Sequence, residues 1–149
     1  MREMISDALT KAQDEGDKTR ISILRLIKAA VKDRDAANRE AGRDPVGDED
    51  ILNILLTMRR QRAESAIGYE ENGRLELAEQ ERQEIEVIEE FLPAQLDESA
   101  MQQACRNAVE DSDAKGLRDV GRCMSKLKQR YPGQMDFTKA STVVKGLLR

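Results

Sequence analysis

The sequence contains no histidine and no tryptophan, and two tyrosines with two phenylalanines supply its whole aromatic content, 3% of 149 residues. Without an imidazole there is no Ser-His-Asp triad, no histidine base near pH 7 and none of the common histidine-bearing zinc sites. So few aromatic rings argue against gripping single-stranded nucleic acid by base stacking. Only two cysteines occur, Cys105 and Cys123, with no CxxC pair. That spacing suits small core residues in a reducing compartment better than a disulfide or a metal site. Long apolar runs are also missing. The longest, Ala29–Val31 and Ile54–Leu56, are three residues each, far too short to span a bilayer. The first twenty residues carry Arg2, Glu3, Asp7, Lys11, Asp14, Glu15 and Asp17, which is unlike a signal peptide. A soluble, cytoplasmic protein without membrane partners is expected.

What the chain does have is charge, 36% of residues against 39% apolar, laid out with helical periodicity. A chain of this length forms one or two small domains with a real core. The spacing predicts a first helix over about Arg2–Gln13, ended by Gly16, with Asp17 capping the next. The second helix turns Ile23, Leu24, Leu26, Ile27, Ala30 and Val31 inward and Arg25, Lys28, Lys32 and Arg39 outward. Residues 41–47 read as a loop, with Asp48 as N-cap of a third helix over about Glu49–Glu71. Its inner face is Ile51, Leu55, Met58, Arg62, Ser65 and Tyr69. Gly73 turns the chain into a fourth helix over about Leu75–Leu92, with Ala78, Ile85, Ile88 and Leu92 on one face. Pro93 closes this antiparallel four-helix unit, residues 1–92. Asp97 then caps the first of three smaller helices, about Glu98–Glu110, Leu117–Gln129 and Phe137–Leu148, which make a unit of residues 93–149. The expected fold is all-α, in two helical subdomains.

Dividing the charge at Pro93 exposes an asymmetry. Residues 1–92 hold 15 basic and 22 acidic side chains, net −7, whereas residues 93–149 hold 10 and 7, net +3. A basic tail on an acidic body suits contact with a polyanion. Within the tail, at about 100° per residue, Arg118, Arg122, Lys126 and Arg130 share one side of a helix, and Lys115 extends it. Only Asp119 interrupts that side. Cys123, Leu127, Val120, Tyr131, Met124 and Leu117 occupy the other. Like charges at i, i+4 spacing repel and do not help the helix form, so the ladder reads as an anion-binding face or as a merely solvated one. Elsewhere, Arg59, Arg60 and Arg62 are placed to pair with the glutamates of Glu76–Glu90, which lack metal-ligand spacing. There is no glycine-rich phosphate loop and no nucleophile elbow. The residues thus indicate no catalytic set, no metal and no cofactor.

Blocks along the whole chain carry a family resemblance. The run Glu84-Ile85-Glu86-Val87-Ile88-Glu89-Glu90-Phe91-Leu92-Pro93-Ala94-Gln95-Leu96 closely resembles the hinge motif of the GatB/YqeY family. So do Thr19–Asp33 and Gly73–Glu81. At the C-terminus, Asp119–Met124 with Gly133, Asp136 and Val144 resembles the tail motif shared with the GatB subunit of the glutamine-dependent tRNA amidotransferase. Cys123 stands where that family more often has an aliphatic residue, and Gln134 where a basic one often follows the glycine. The resemblance implies an all-α protein with two helical subdomains whose tail grips tRNA, transamidation belonging to a catalytic domain this chain does not resemble. The expected function is therefore non-catalytic binding of tRNA or other structured RNA, near amidotransferase or aminoacyl-tRNA machinery. Two alternatives stand beside it. One is an accessory subunit of a carbon–nitrogen ligase that uses glutamine as amido donor; the other is a protein-interaction adaptor.

Overall fold

Short-range chemistry at the helix ends explains most of the first half of the chain. Helix α1 (Arg2–Glu15) stops at Gly16, which adopts a left-handed φ of 70° that costs a glycine nothing. The following N–H, of Asp17, reaches back to the Ala12 carbonyl at 3.0 Å. Asp17 then opens α2 (Lys18–Glu40) by accepting the Arg20 N–H. Helix α3 (Asp48–Glu71) turns at Gly73, with φ 72°, into α4 (Leu75–Glu89). The computed structural model describes all residues, Met1–Arg149, as seven α-helices with no strand. They fall into two compact units, Met1–Leu92 and Pro93–Arg149.

In the first unit, Ile5, Leu9, Ile23, Leu24, Ile27, Ile51, Leu55 and Ile88 form a continuous apolar core. Three arginine–glutamate pairs stitch α3 to α4: Arg59–Glu89, Arg62–Glu84 and Glu70–Arg82. The partner's number falls along α4 as it rises along α3, so the two helices run antiparallel. This pairing of the arginine cluster with helix-four glutamates is the one the sequence indicates. The Arg2 guanidinium holds both oxygens of Asp35, at 2.8 and 2.6 Å, and donates to the Val46 carbonyl. It thereby ties the start of α1 to α2 and to the loop before α3.

Several details depart from the expectations. Leu26, assigned inward, is 47% exposed, whereas Ile23, Leu24 and Ile27 on the same helix are fully buried. Along α3 the buried residue is Ala66 rather than its neighbour Ser65. The N-cap of α3 is Gly47, not Asp48; the Asp48 carboxylate instead lies 3.4 Å from the N-terminal ammonium. Helix α4 ends at Glu89, three residues before Leu92.

The second unit packs α5 (Glu98–Asp111), α6 (Val120–Arg130) and α7 (Phe137–Leu148) around Met101, Ala104, Cys105, Cys123, Leu127, Ala140 and Val144. Asp97 and Asp136 cap α5 and α7 through the N–H groups of Ala100 and Thr138. Both cysteines are free and buried, as small core residues. Burial, before any other influence, pushes the Cys105 thiol pKa up. No helix is long and apolar enough to cross a membrane.

Candidate functional site

The expected basic helix does not begin where helical phase puts it. Gly116 is fully extended, and Leu117–Asp119 form a single 3₁₀ turn before α6 starts at Val120. Asp119 builds that turn: its carboxylate accepts the Lys115 N–H at 2.9 Å and its own N–H donates to the Gly116 carbonyl. A local side-chain acceptor of this kind competes with helix. The same hydrogen bond, with help from Arg122, holds the Asp119 carboxyl below the usual carboxylate range. One consequence is that Leu117, assigned to the apolar side, is 52% exposed.

The five cations named from the sequence therefore do not form one uniform ladder. Arg118 sits on the 3₁₀ turn, exposed and without an ion pair. Arg122 pairs with Asp119 at 2.8 Å while remaining 60% exposed. Lys126 donates to the Asp111 carbonyl at 2.8 Å, and Arg130 pairs with the Asp111 carboxylate at 2.8 Å. Lys115 lies 3.3 Å from Asp113, both widely exposed. Sequence phase along one helix cannot show these partners, since Asp111 and Asp113 belong to the end of α5 and the loop after it. The start of α6 and the end of α5 are brought together, and neither Arg118 nor Lys115 lines the space between them.

Between those two ends lies a groove of about 480 Å³, lined by Asp111, Ser112, Gly121, Arg122, Ser125 and Lys126. Residues 121, 122, 125 and 126 share a face because they are separated by one helical turn. A Cβ added to Gly121 would meet nothing within 4 Å, so that wall of the groove is open. Ser112, which follows the last residue of α5, is only 7% exposed. Its Oγ is the one buried side-chain oxygen or nitrogen of the chain with no hydrogen-bond partner. Sequence reasoning missed Ser112 and Ser125, which carry no charge and belong to no motif, and it met Gly121 only inside the Asp119–Met124 run. The serine after the helix end was visible as a loop residue and nothing more.

Of the remaining charged clusters, the α3 arginines and α4 glutamates bind each other, whereas Arg25, Lys28, Lys32 and Arg39 on α2 have no ion pair. On α2, Asp35 interrupts the Arg25, Lys28, Lys32 and Arg39 side, and its carboxyl is held down to about 2 by Arg2 and then by the Val46 N–H. Glu84 and Glu89 on α4 are matched to α3 arginines. What the groove and its rim can do chemically is offer ammonium, guanidinium and hydroxyl hydrogens to an oxyanion.

The model of the family described as Yqey-like protein matches residues 2–148 of the chain. No curated protein matches the chain.

Proposed function

The chain belongs to the Yqey-like protein family, and from that premise we propose that it is a non-catalytic RNA-binding protein whose second unit contacts the backbone of a structured RNA, tRNA first among the candidates. The observation that carries the reading is the exposed rim of Arg118 and Arg122 beside Lys126, in a unit with net charge +3 against −7 for the rest of the chain. Basic side chains of this kind neutralise phosphates, and the attraction needs no base identity. The scarcity of aromatic side chains supports recognition by shape and phosphate rather than by stacked bases. Any amide-transfer chemistry near this protein then belongs to a partner.

The test is tRNA binding measured across a salt series, for the native chain and for a variant with Arg118, Arg122 and Lys126 all changed to Glu. With four or five phosphates neutralised, log K falls against log salt with a slope of about −3 to −4.5. The triple variant is expected to lose binding by at least a factor of about 100. Unchanged affinity removes the reading. A quick companion measurement is the ultraviolet absorbance ratio of the freshly purified protein, which rises if RNA travels with it.

A further inference from the structure

A buried hydroxyl without a partner is uncommon in a folded protein, because a stranded donor forfeits its bonds to water. Ser112 is such a residue, and it lines the groove between the end of α5 and the start of α6. The same groove is lined by Ser125, Arg122 and Lys126. Both cations keep donors in reserve. Lys126 spends one of its three hydrogens on the Asp111 carbonyl. Arg122 spends one of its five on Asp119. Two carboxylates border the site, and each is already matched, Asp111 to Arg130 and Asp119 to Arg122. The other grooves differ. The one between α1 and α2 also has two lysines, Lys28 and Lys32, but its Arg2 and Asp35 bind each other and it has no stranded hydroxyl. In the one beside α4, Arg20 binds Glu90. No buried polar side-chain atom in either lacks a partner.

We infer that the α5–α6 groove is a seat for a single phosphate group, held by Arg122 and Lys126 and by the hydroxyls of Ser112 and Ser125, and that in the RNA-binding reading above, on which this rests, the group is a backbone phosphodiester. With the Ser112 side chain turned into the groove, a phosphate oxygen accepts its stranded hydrogen, while Lys126, whose charge no carboxylate matches, balances the phosphate and Arg122 adds its spare N–H donors. The open wall at Gly121 admits the neighbouring sugar. This makes one fixed contact among the diffuse ones on the rim, and so sets the register of the RNA on the protein.

The full chain is titrated with inorganic phosphate and, separately, with tRNA, following backbone amide resonances. Phosphate at millimolar concentration should shift the amides of Ser112, Gly121 and Ser125 in a saturable way. Lys126→Gln and Ser112→Ala should each weaken that response at least threefold, and Ser125→Ala repeats the test at an exposed position should the buried substitution disturb folding. Lys126→Gln should also make the tRNA salt slope shallower by about 0.7–0.9, one phosphate's worth. If tRNA binds through Arg118 and phosphate leaves the groove amides unmoved, the seat is refuted and the RNA reading survives. Should phosphate bind there while tRNA does not, the seat stands for a free phosphate or nucleotide and the RNA reading falls. Equal phosphate affinity in the native, Ser112→Ala and Ser125→Ala proteins overturns the assignment of the hydroxyls.

Discussion

At the scale of single residues, the chain uses aspartate for two unlike tasks. Asp17, Asp97 and Asp136 cap the helix that follows them, a role readable from position because the acceptor and the N–H it meets are two or three residues apart. Asp35, Asp48 and Asp119 have uses that position does not announce. Asp35 answers an arginine 33 residues away, Asp48 answers the N-terminal ammonium, and Asp119 breaks a helix to satisfy Lys115. Asp35 gives a pH-dependent prediction. Its carboxyl is depressed to about 2 from an ordinary value of 3.8, through the Arg2 hydrogen bond first. A group depressed in the folded state contributes stability that is whole above its unfolded pKa and disappears as pH falls through its folded pKa. The stability gap between the native protein and Asp35→Asn should therefore be full at neutral pH and close between about pH 4 and pH 2. Urea unfolding followed by helicity at a series of pH values measures it, and a gap that persists at pH 2 would contradict the pairing.

Element by element, the helices were legible because their signals are local and repeated. Glycines at 16 and 73, with the caps at 17 and 97, mark boundaries that periodicity then fills. Where the reading slipped, either packing decided the matter or, at Leu117, the local turn built by Asp119. Leu26 has the chemistry of a core residue yet stays half exposed, and burial falls on Ala66 rather than on Ser65 beside it. The candidate site was half legible for the same reason. Helical phase found Arg118, Arg122, Lys126 and Arg130, but the groups that meet Lys126 and Arg130, the Asp111 carbonyl and carboxylate, come from the end of α5. That placement has a testable consequence. Asp111 holds Arg130 in competition with any bound polyanion, and it sits at the C-terminal end of α5, where the helix dipole disfavours an anion. Asp111→Asn should cost little stability, since an exposed pair contributes at most about 1 kcal/mol. It should tighten tRNA binding roughly threefold at low salt, as read by the same titration used for the native chain. Weaker binding in this variant would mean that Asp111 positions the site rather than opposing it.

For the whole molecule, the formal charge of −4 describes neither of its units, and the absence of histidine leaves the pairing of fixed charges as its main electrostatic resource. A further consequence lies in the two buried thiols. Cys105 and Cys123 are both 0% exposed, both sit in the second unit, and residues 1–92 contain no cysteine. A thiol reagent added to the native protein therefore reads a clock that belongs to the second unit alone, ticking only when α5 and α6 part. Modification should be slow in the folded protein and complete at once in denaturant. RNA that binds this unit should slow the clock by a factor of one plus the ratio of free RNA concentration to Kd, about a hundredfold at a free concentration one hundred times Kd. RNA that binds elsewhere should leave the rate untouched, so an unlabelled, unmutated chain reports where its ligand sits.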